Sequence, residues 1–167
     1  MKALVIVDMQ NGIFDKHIKV FNEGILINNI NQLLDYFHDA NWPVVFVRFT
    51  GCNILKENSQ AWEIIDKLHL KNEDLIINKQ GSDAFEVESF TDFLQSHCIS
   101  EIVVTGVFSH GCVQSTVVGG YRRGYEMFLA KDAHSNIAIQ APRIIASVNQ
   151  RLKTMGISVV SCAELMS

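Results

Sequence analysis

A cysteine, an aspartate and a lysine stand where their side chains could do chemistry. Cys112 follows Gly111 and opens a helical pattern that continues through Val113, Thr116, Val117 and Tyr121. Backbone N–H groups and the positive end of a helix favour a thiolate at such a place. Glycine permits the tight strand-to-helix turn that would push the sulfur into a cleft. A buried core cysteine is the alternative, because free cysteine is among the most buried residue types. Asp8 closes the apolar run Ala3 to Val7. It fits a cap, a phosphate-transfer group or a general base paired with a cysteine. Gln10 stands where a dehalogenase-type phosphatase would want a second aspartate, and no acid adjoins Asp8 as a receiver-domain metal site would require. The stretch Asp8-Met9-Gln10-Asn11-Gly12 has one glycine, so it does not read as a dinucleotide cradle. Lys79 is either a surface lysine or, beside Cys112, a charge that stabilises a thiolate and negative charge developing on a substrate.

The remaining candidate ligands point to no metal and no cofactor. The 6 histidines show neither H-x-x-x-H nor H-E-x-x-H spacing. His110 and His134 fall near the proposed site, and two scattered histidines do not make a set of ligands. The 4 cysteines, Cys52, Cys98, Cys112 and Cys162, form no C-x-x-C pair, so neither a zinc knuckle nor a disulfide framework is indicated. Cys98 and Cys162 read as packing. Reduced thiols suit a cytoplasmic protein.

Asp8, Lys79 and Cys112 meet only if the fold brings them together. Six short apolar runs alternate with amphipathic stretches: Ala3–Val7, Val44–Phe49, Asp74–Asn78, Glu101–Val107, Glu126–Ala130 and Ile157–Val160. Runs apolar on both faces suit a parallel sheet covered on both sides. Helical spacing links Ile27, Ile30, Leu33, Leu34 and Phe37, which stop before Asn41-Trp42-Pro43. Trp62, Ile65 and Leu68 predict a shorter amphipathic turn. Phe90, Phe93 and Leu94 predict another helix, and Ala141 through Leu152 the last long one. The alternation predicts an α/β fold: a three-layer, doubly wound sheet of about six mainly parallel strands with helices on both faces. Sites in such sheets form past the carboxyl ends of the strands. There lie Asp8, Arg48, Lys79, Ser109 to Cys112, Asp132 and His134.

Composition agrees. The chain has 167 residues, 48% hydrophobic and 19% charged, which fits one domain spanning 1–167 and excludes a disordered chain. A net charge of −4 argues against nucleic acid as a partner. No apolar run approaches the roughly 20 residues that span a bilayer, so no membrane partner is expected. The opening Met-Lys-Ala-Leu-Val-Ile-Val-Asp meets an acid too early for a secretory signal and reads as a first strand.

Four segments together resemble the isochorismatase-like cysteine hydrolases, the superfamily that includes nicotinamidases and N-carbamoylsarcosine amidohydrolases. They are LVIVDMQNGIF at 4–14, with its D-x-Q; Lys79 to Phe85, K-x-x-x-x-A-F; Gly106 to Thr116, G-x-x-[ST]-x-x-C-V-x-x-T; and Gly124-Tyr125 followed by Asp132-Ala133. Each is weak alone, but their order and spacing hold over nearly the whole chain. The resemblance implies a triad of Asp8, Lys79 and Cys112, with Cys112 as nucleophile. It also implies a cis Val107–Phe108 peptide and an oxyanion hole of the Phe108 and Cys112 backbone N–H groups. The implied activity is cleavage of a C–N bond in a small amide, ureido or carbamoyl compound through a thioester, by a homo-oligomer. Gln10, Phe14, Arg48 and Trp62 are placed around the substrate pocket, Arg48 as a carboxylate anchor or else a salt-bridge partner. Metal-binding nicotinamidases resemble one another in an Asp/His cluster after strand 2. Here that stretch, Arg48 to Asn53, has no histidine, which implies no metal and a substrate other than nicotinamide. A non-enzymatic binding module, or a thiol switch pairing Cys112 with Cys52, is the competing reading.

Overall fold

The computed structural model describes residues 1–167 apart from Lys16, Ile18 and Cys52. Six strands form one sheet: β1 (Lys2–Val7), β2 (Val44–Phe49), β3 (Leu75–Lys79), β4 (Glu101–Val107), β5 (Glu126–Ser135) and β6 (Ser158–Val160). All pairings are parallel, in the order β3-β2-β1-β4-β5-β6. Among the described residues, five α-helices flank it: α1 (Glu23–Asp39), α2 (Glu88–Ser96), α3 (Gln114–Arg122), α4 (Ala141–Thr154) and α5 (Cys162–Leu165). None of the helices among the described residues is long and apolar enough to cross a membrane.

The period-2 alternation of strand side chains sorts the core into two layers. Ala3, Val5 and Val7 face α2, α3 and α4, packing with Phe90, Leu94, Val117, Val148 and Leu152. Leu4 and Ile6 face α1 and α5, packing with Ile30, Leu33, Leu34, Phe37 and Leu165. Both faces of β1 are therefore dry, which is why its sequence reads as an unbroken apolar run. The order reverses between β1 and β4: the chain moves outward through β2 and β3, then returns to the other side of β1. That reversal leaves a crevice at the carboxyl ends of β1 and β4.

Two sequence expectations need correction. The amphipathic turn predicted around Trp62 to Leu68 does not become a helix. Its backbone is used elsewhere: Asn11 and Gly12 donate N–H bonds of 2.9 and 2.8 Å to the Glu63 and Ala61 carbonyls, and Ile65 donates at 3.0 Å to Met9. Gln10 and Ile64 form an antiparallel bridge. The segment is thus a series of turns laced to the end of β1 through Ala61, Glu63 and Ile65. Strand β5 does not stop at Ala130 either. Its register with β4 jumps from Val104↔Leu129 to Gly106↔His134, a bulge that lets the strand resume and run to Ser135.

Gly106 marks a close approach of β4 to β1. It has φ +110°, and an added Cβ would stand 2.2 Å from the Val7 carbonyl oxygen. Both the backbone and the neighbouring strand exclude a side chain there. Gly106→Ala is therefore expected to lower the unfolding free energy by about 3 kcal/mol, measured by urea denaturation; an unchanged midpoint and slope would refute this account of the β1–β4 contact.

Candidate active site

Asp8 sits one residue past β1 in the left-handed region, at φ 53°. That conformation is uncommon outside glycine, and it turns the chain away from the sheet after the Asp8 N–H donates to Val47 O at 2.9 Å. The side chain is left buried at the crevice, with Asp8 only 4% exposed. Lys79 is the last residue of β3, paired with Phe49 of β2. Its side chain crosses over the Phe49 ring, 4.9 Å from the centroid. Its Nζ donates to Asp8 Oδ2 at 3.0 Å and to Gly81 O at 3.2 Å. Lys79 is thus a buried ion-pair partner and not a surface lysine.

Cys112 lies in the π-helical turn Ser109–Val113, which joins β4 to α3. Gly111 leaves the helical basin within that turn, at φ −110°, ψ −115°. The Val107–Phe108 peptide entering the turn is cis. The thiol is half-buried and packs against the core layer beneath α3. Thr116, one helical turn further on, accepts the Ala84 N–H at 3.2 Å. This bond ties the segment that follows Lys79 to the helix that follows Cys112.

The electrostatics depart from the expectation of an ionised sulfur. Burial, reinforced by the negative charge of Asp8, pushes the Cys112 thiol up to about 11, with Lys79 pulling the other way. The net direction disfavours the thiolate. Burial also raises the Asp8 carboxyl above its ordinary value, against the lowering influence of Lys79 and of the Cys112 thiol. Lys79 occupies one carboxylate oxygen, and Asp8 Oδ1 has no hydrogen-bond partner among the described residues. The site thus sets a thiol whose ionisation is disfavoured against a desolvated carboxylate that interacts with it and keeps one oxygen free of the Lys79 ion pair. Among the described residues, no three His, Cys, Asp or Glu side chains are grouped to hold a metal ion.

The four residues expected around the substrate prove to be mainly braces. Gln10 is fully buried. Its Oε1 accepts the Phe49 N–H at 2.8 Å, and its Nε2 donates to Phe49 O at 3.0 Å and Trp62 O at 2.8 Å. Both amide protons are thus committed to backbone carbonyls, which makes Gln10 a brace between β2 and the Trp62 segment. Arg48 takes the salt-bridge alternative: Nη1 meets Glu63 Oε2 at 2.9 Å, Nε donates to Asn78 Oδ1 at 3.0 Å, and the guanidinium stacks 3.5 Å from the Trp62 ring centroid. Trp62 is itself buried, its Nε1 donating to Thr50 Oγ1 at 3.0 Å. Phe14 faces a cavity of about 100 Å³ that it shares with Asn11, Glu23, Ile65, Asp66 and Lys67, none of them in the Asp8–Lys79–Cys112 cluster. Of the cysteines assigned to packing, Cys162 is buried, but Cys98 is exposed, because the chain turns there through a left-handed residue between α2 and β4. Cys52, the partner that a thiol switch would need, lies outside the described residues.

Sequence reasoning placed His134 and Ser109 near the site without linking them. In the structure the His134 Nδ1 meets Ser109 Oγ at 2.8 Å and its Nε2 meets Asn149 Oδ1 at 2.9 Å. The missing signal was the β5 bulge, which no local pattern of the apolar run announces.

Fold and cluster together define a doubly wound α/β protein whose polar site lies at the topological switch point. The chain belongs to the isochorismatase family, whose domain model matches residues 2–164, and it is a hydrolase of that family. It is 29% identical over 134 residues to a secreted isochorismatase effector of Verticillium dahliae, covering 78% of this chain and 70% of that one. It is 26% identical over 169 residues to a ureidoacrylate amidohydrolase of Pseudomonas savastanoi pv. phaseolicola, covering 78% and 69%. The crystal structure of a cysteine hydrolase from Pseudomonas syringae pv. phaseolicola superposes with a TM-score of 0.90 at 20% identity, covering 99% of this chain and 90% of that one.

Removing one member of the buried pair leaves the other charge uncompensated. Lys79→Met is expected to cost about 3–5 kcal/mol of stability, read from urea denaturation. The Asp8→Asn, Lys79→Met double variant should lose clearly less than the sum of the two single changes; strict additivity would show that the two groups do not interact.

Proposed function

We propose that this protein hydrolyses the C–N bond of a small amide, ureido or carbamoyl compound, with Cys112 as nucleophile. The observation that carries the reading is the buried Asp8–Lys79 pair, 3.0 Å apart, acting electrostatically on a half-buried thiol. A protonated thiol needs a base, and a carboxylate raised by desolvation is a stronger base than one in water. In the proposed cycle the Cys112 proton passes to Asp8 as sulfur bonds to the carbonyl carbon. The backbone N–H groups of Phe108 and Cys112 hold the oxyanion, and Lys79 supplies fixed positive charge. Collapse breaks the C–N bond while Asp8 returns its proton to the departing nitrogen. Water, deprotonated by the same carboxylate, then cleaves the thioester, and the thiol is restored. The net reaction consumes one water and releases an acid and an amine or ammonia.

The relatives support this chemistry, since one carries the name of an amidohydrolase and one of a cysteine hydrolase. The need for a free thiol favours a reducing, cytoplasmic setting. A homo-oligomer belongs to the same proposal: Ile25, Ile137 and Ile139 expose 59%, 49% and 93% of their surface, apolar area that a second copy would cover. A solution mass of 18.8 kDa by light scattering, that of one chain, would remove that part.

The test is an ammonia-release screen over small amides and N-carbamoyl compounds. Cys112→Ala should abolish turnover by a factor of about 10³ or more while leaving the fold intact, and Asp8→Asn should come close to it. Full activity in either variant would end the proposal. A pH profile adds a second check. Asp8 works as a base only when ionised, so kcat/KM should fall as pH drops through a value above 3.8, the ordinary carboxyl value. A profile flat to well below that point would exclude Asp8 as the base.

A further inference from the structure

The proposed cycle leaves one buried titratable side chain unused. His134 is 4% exposed and Ser109 is fully buried. Asn149 Oδ1 can only accept, so the His134 Nε2 carries the proton and donates it at 2.9 Å. The Nδ1 then presents a lone pair, which accepts a hydrogen bond from the Ser109 hydroxyl, with N and O 2.8 Å apart. One neutral imidazole thus joins three elements in series: the turn after β4, the resumed end of β5, and α4. Burial also favours the neutral ring.

We propose that the Ser109–His134–Asn149 chain is the positioning device of the nucleophile turn, with His134 acting on the reaction only through Ser109. The proposal rests on the hydrolase reading for its chemical meaning. Ser109 follows Phe108, whose N–H is one proposed oxyanion donor, and stands three residues before Cys112, which supplies the other donor and the sulfur. Shifting Ser109 therefore shifts nucleophile and donors together. At Gly111 the turn borders open space: a Cβ added there would meet nothing within 4 Å. The support comes from below. The β5 bulge delivers His134 opposite Gly106, and two residues on, the Asn136 Nδ2 donates to the His110 Nδ1 at 2.7 Å. Two successive residues of the turn, Ser109 and His110, are thereby held by one strand tip. That tip is itself moored: the Ser135 Oγ donates to Phe21 O at 2.7 Å, and Asn136 O accepts the Phe21 N–H at 2.9 Å. A catalytic group displaced by about 1 Å can lose two orders of magnitude in rate, so a clamp at this point has a functional consequence that its small size conceals.

The experiment is iodoacetamide labelling followed by peptide mapping, with the exposed Cys98 as an internal standard in the same molecule. In Ser109→Ala and His134→Leu, the Cys112 labelling rate should rise about tenfold relative to the natural chain, because a turn that is no longer held releases the half-buried thiol from its cover and from the Asp8 charge that disfavours the thiolate. The Cys98 rate should not change. Ser109→Thr, which keeps the hydroxyl, should recover the Cys112 rate to within about threefold. Where His134→Leu fails to fold by circular dichroism, the two Ser109 variants decide the matter alone. Cys112 rates unchanged in the folded variants would overturn the proposal, as would a Ser109→Thr protein that labels as fast as Ser109→Ala. Failure of the hydrolase reading looks different: the natural chain then releases no ammonia in the screen, while the labelling pattern stands.

Discussion

The molecule is organised around a lysine ammonium and an aspartate carboxylate shut into a place that would otherwise be dry. Taking two charges out of water is costly, and their attraction repays the loss only with good geometry and further hydrogen bonds. Lys79 meets the condition with two oxygen partners. Asp8 meets it only in part, since one oxygen is left over. A hydrophobic pair would serve the core at least as well. An arrangement that keeps a charged pair and leaves half a carboxylate uncommitted is therefore more readily understood as chemistry than as a source of stability.

Much of the fold follows from bringing that pair together. Neighbouring strands lie about 4.8 Å apart, so β3 and β1, on either side of β2, are separated by nearly 10 Å. Only a long side chain can reach across, and Lys79 does so over the Phe49 ring. Asp8 must meet it at the correct height, which the left-handed turn after Val7 arranges. Cys112 comes from the other direction, from β4, across the close β1–β4 contact that Gly106 permits. Each group of the site thus stands on a different strand of one continuous sheet, and the sheet sets their spacing.

The sheet was legible because buried parallel strands announce themselves as apolar runs, and Ala3–Val7 and Glu101–Val107 are of that kind. Asp8, Lys79 and Cys112 were legible because they are polar groups placed where such runs end. What the sequence hid were choices made by tertiary hydrogen bonding. Trp62, Ile65 and Leu68 have helical spacing, yet the backbone around them, at Ala61, Glu63 and Ile65, is claimed by residues 9 to 12. Gln10 and Arg48 look like groups facing a ligand, and only their partners, Phe49, Trp62, Glu63 and Asn78, reveal them as braces. The surroundings of Cys112 were hidden for a similar reason: a helix end can be seen in a sequence, but the burial that pushes the thiol up cannot.

Gln10 has a consequence that concerns how the mouth of the site can vary. Its carboxamide gives and receives a hydrogen bond at Phe49, as a peptide unit of a neighbouring strand would. The ladder is in effect prolonged by one rung made of side-chain atoms after the main chain has departed. An impersonated peptide group frees the real one to follow another path, so the loop beyond Asp8 can change its course without unzipping the end of β2. Diversity at the rim and rigidity at the floor become separable, because a single amide stands between them.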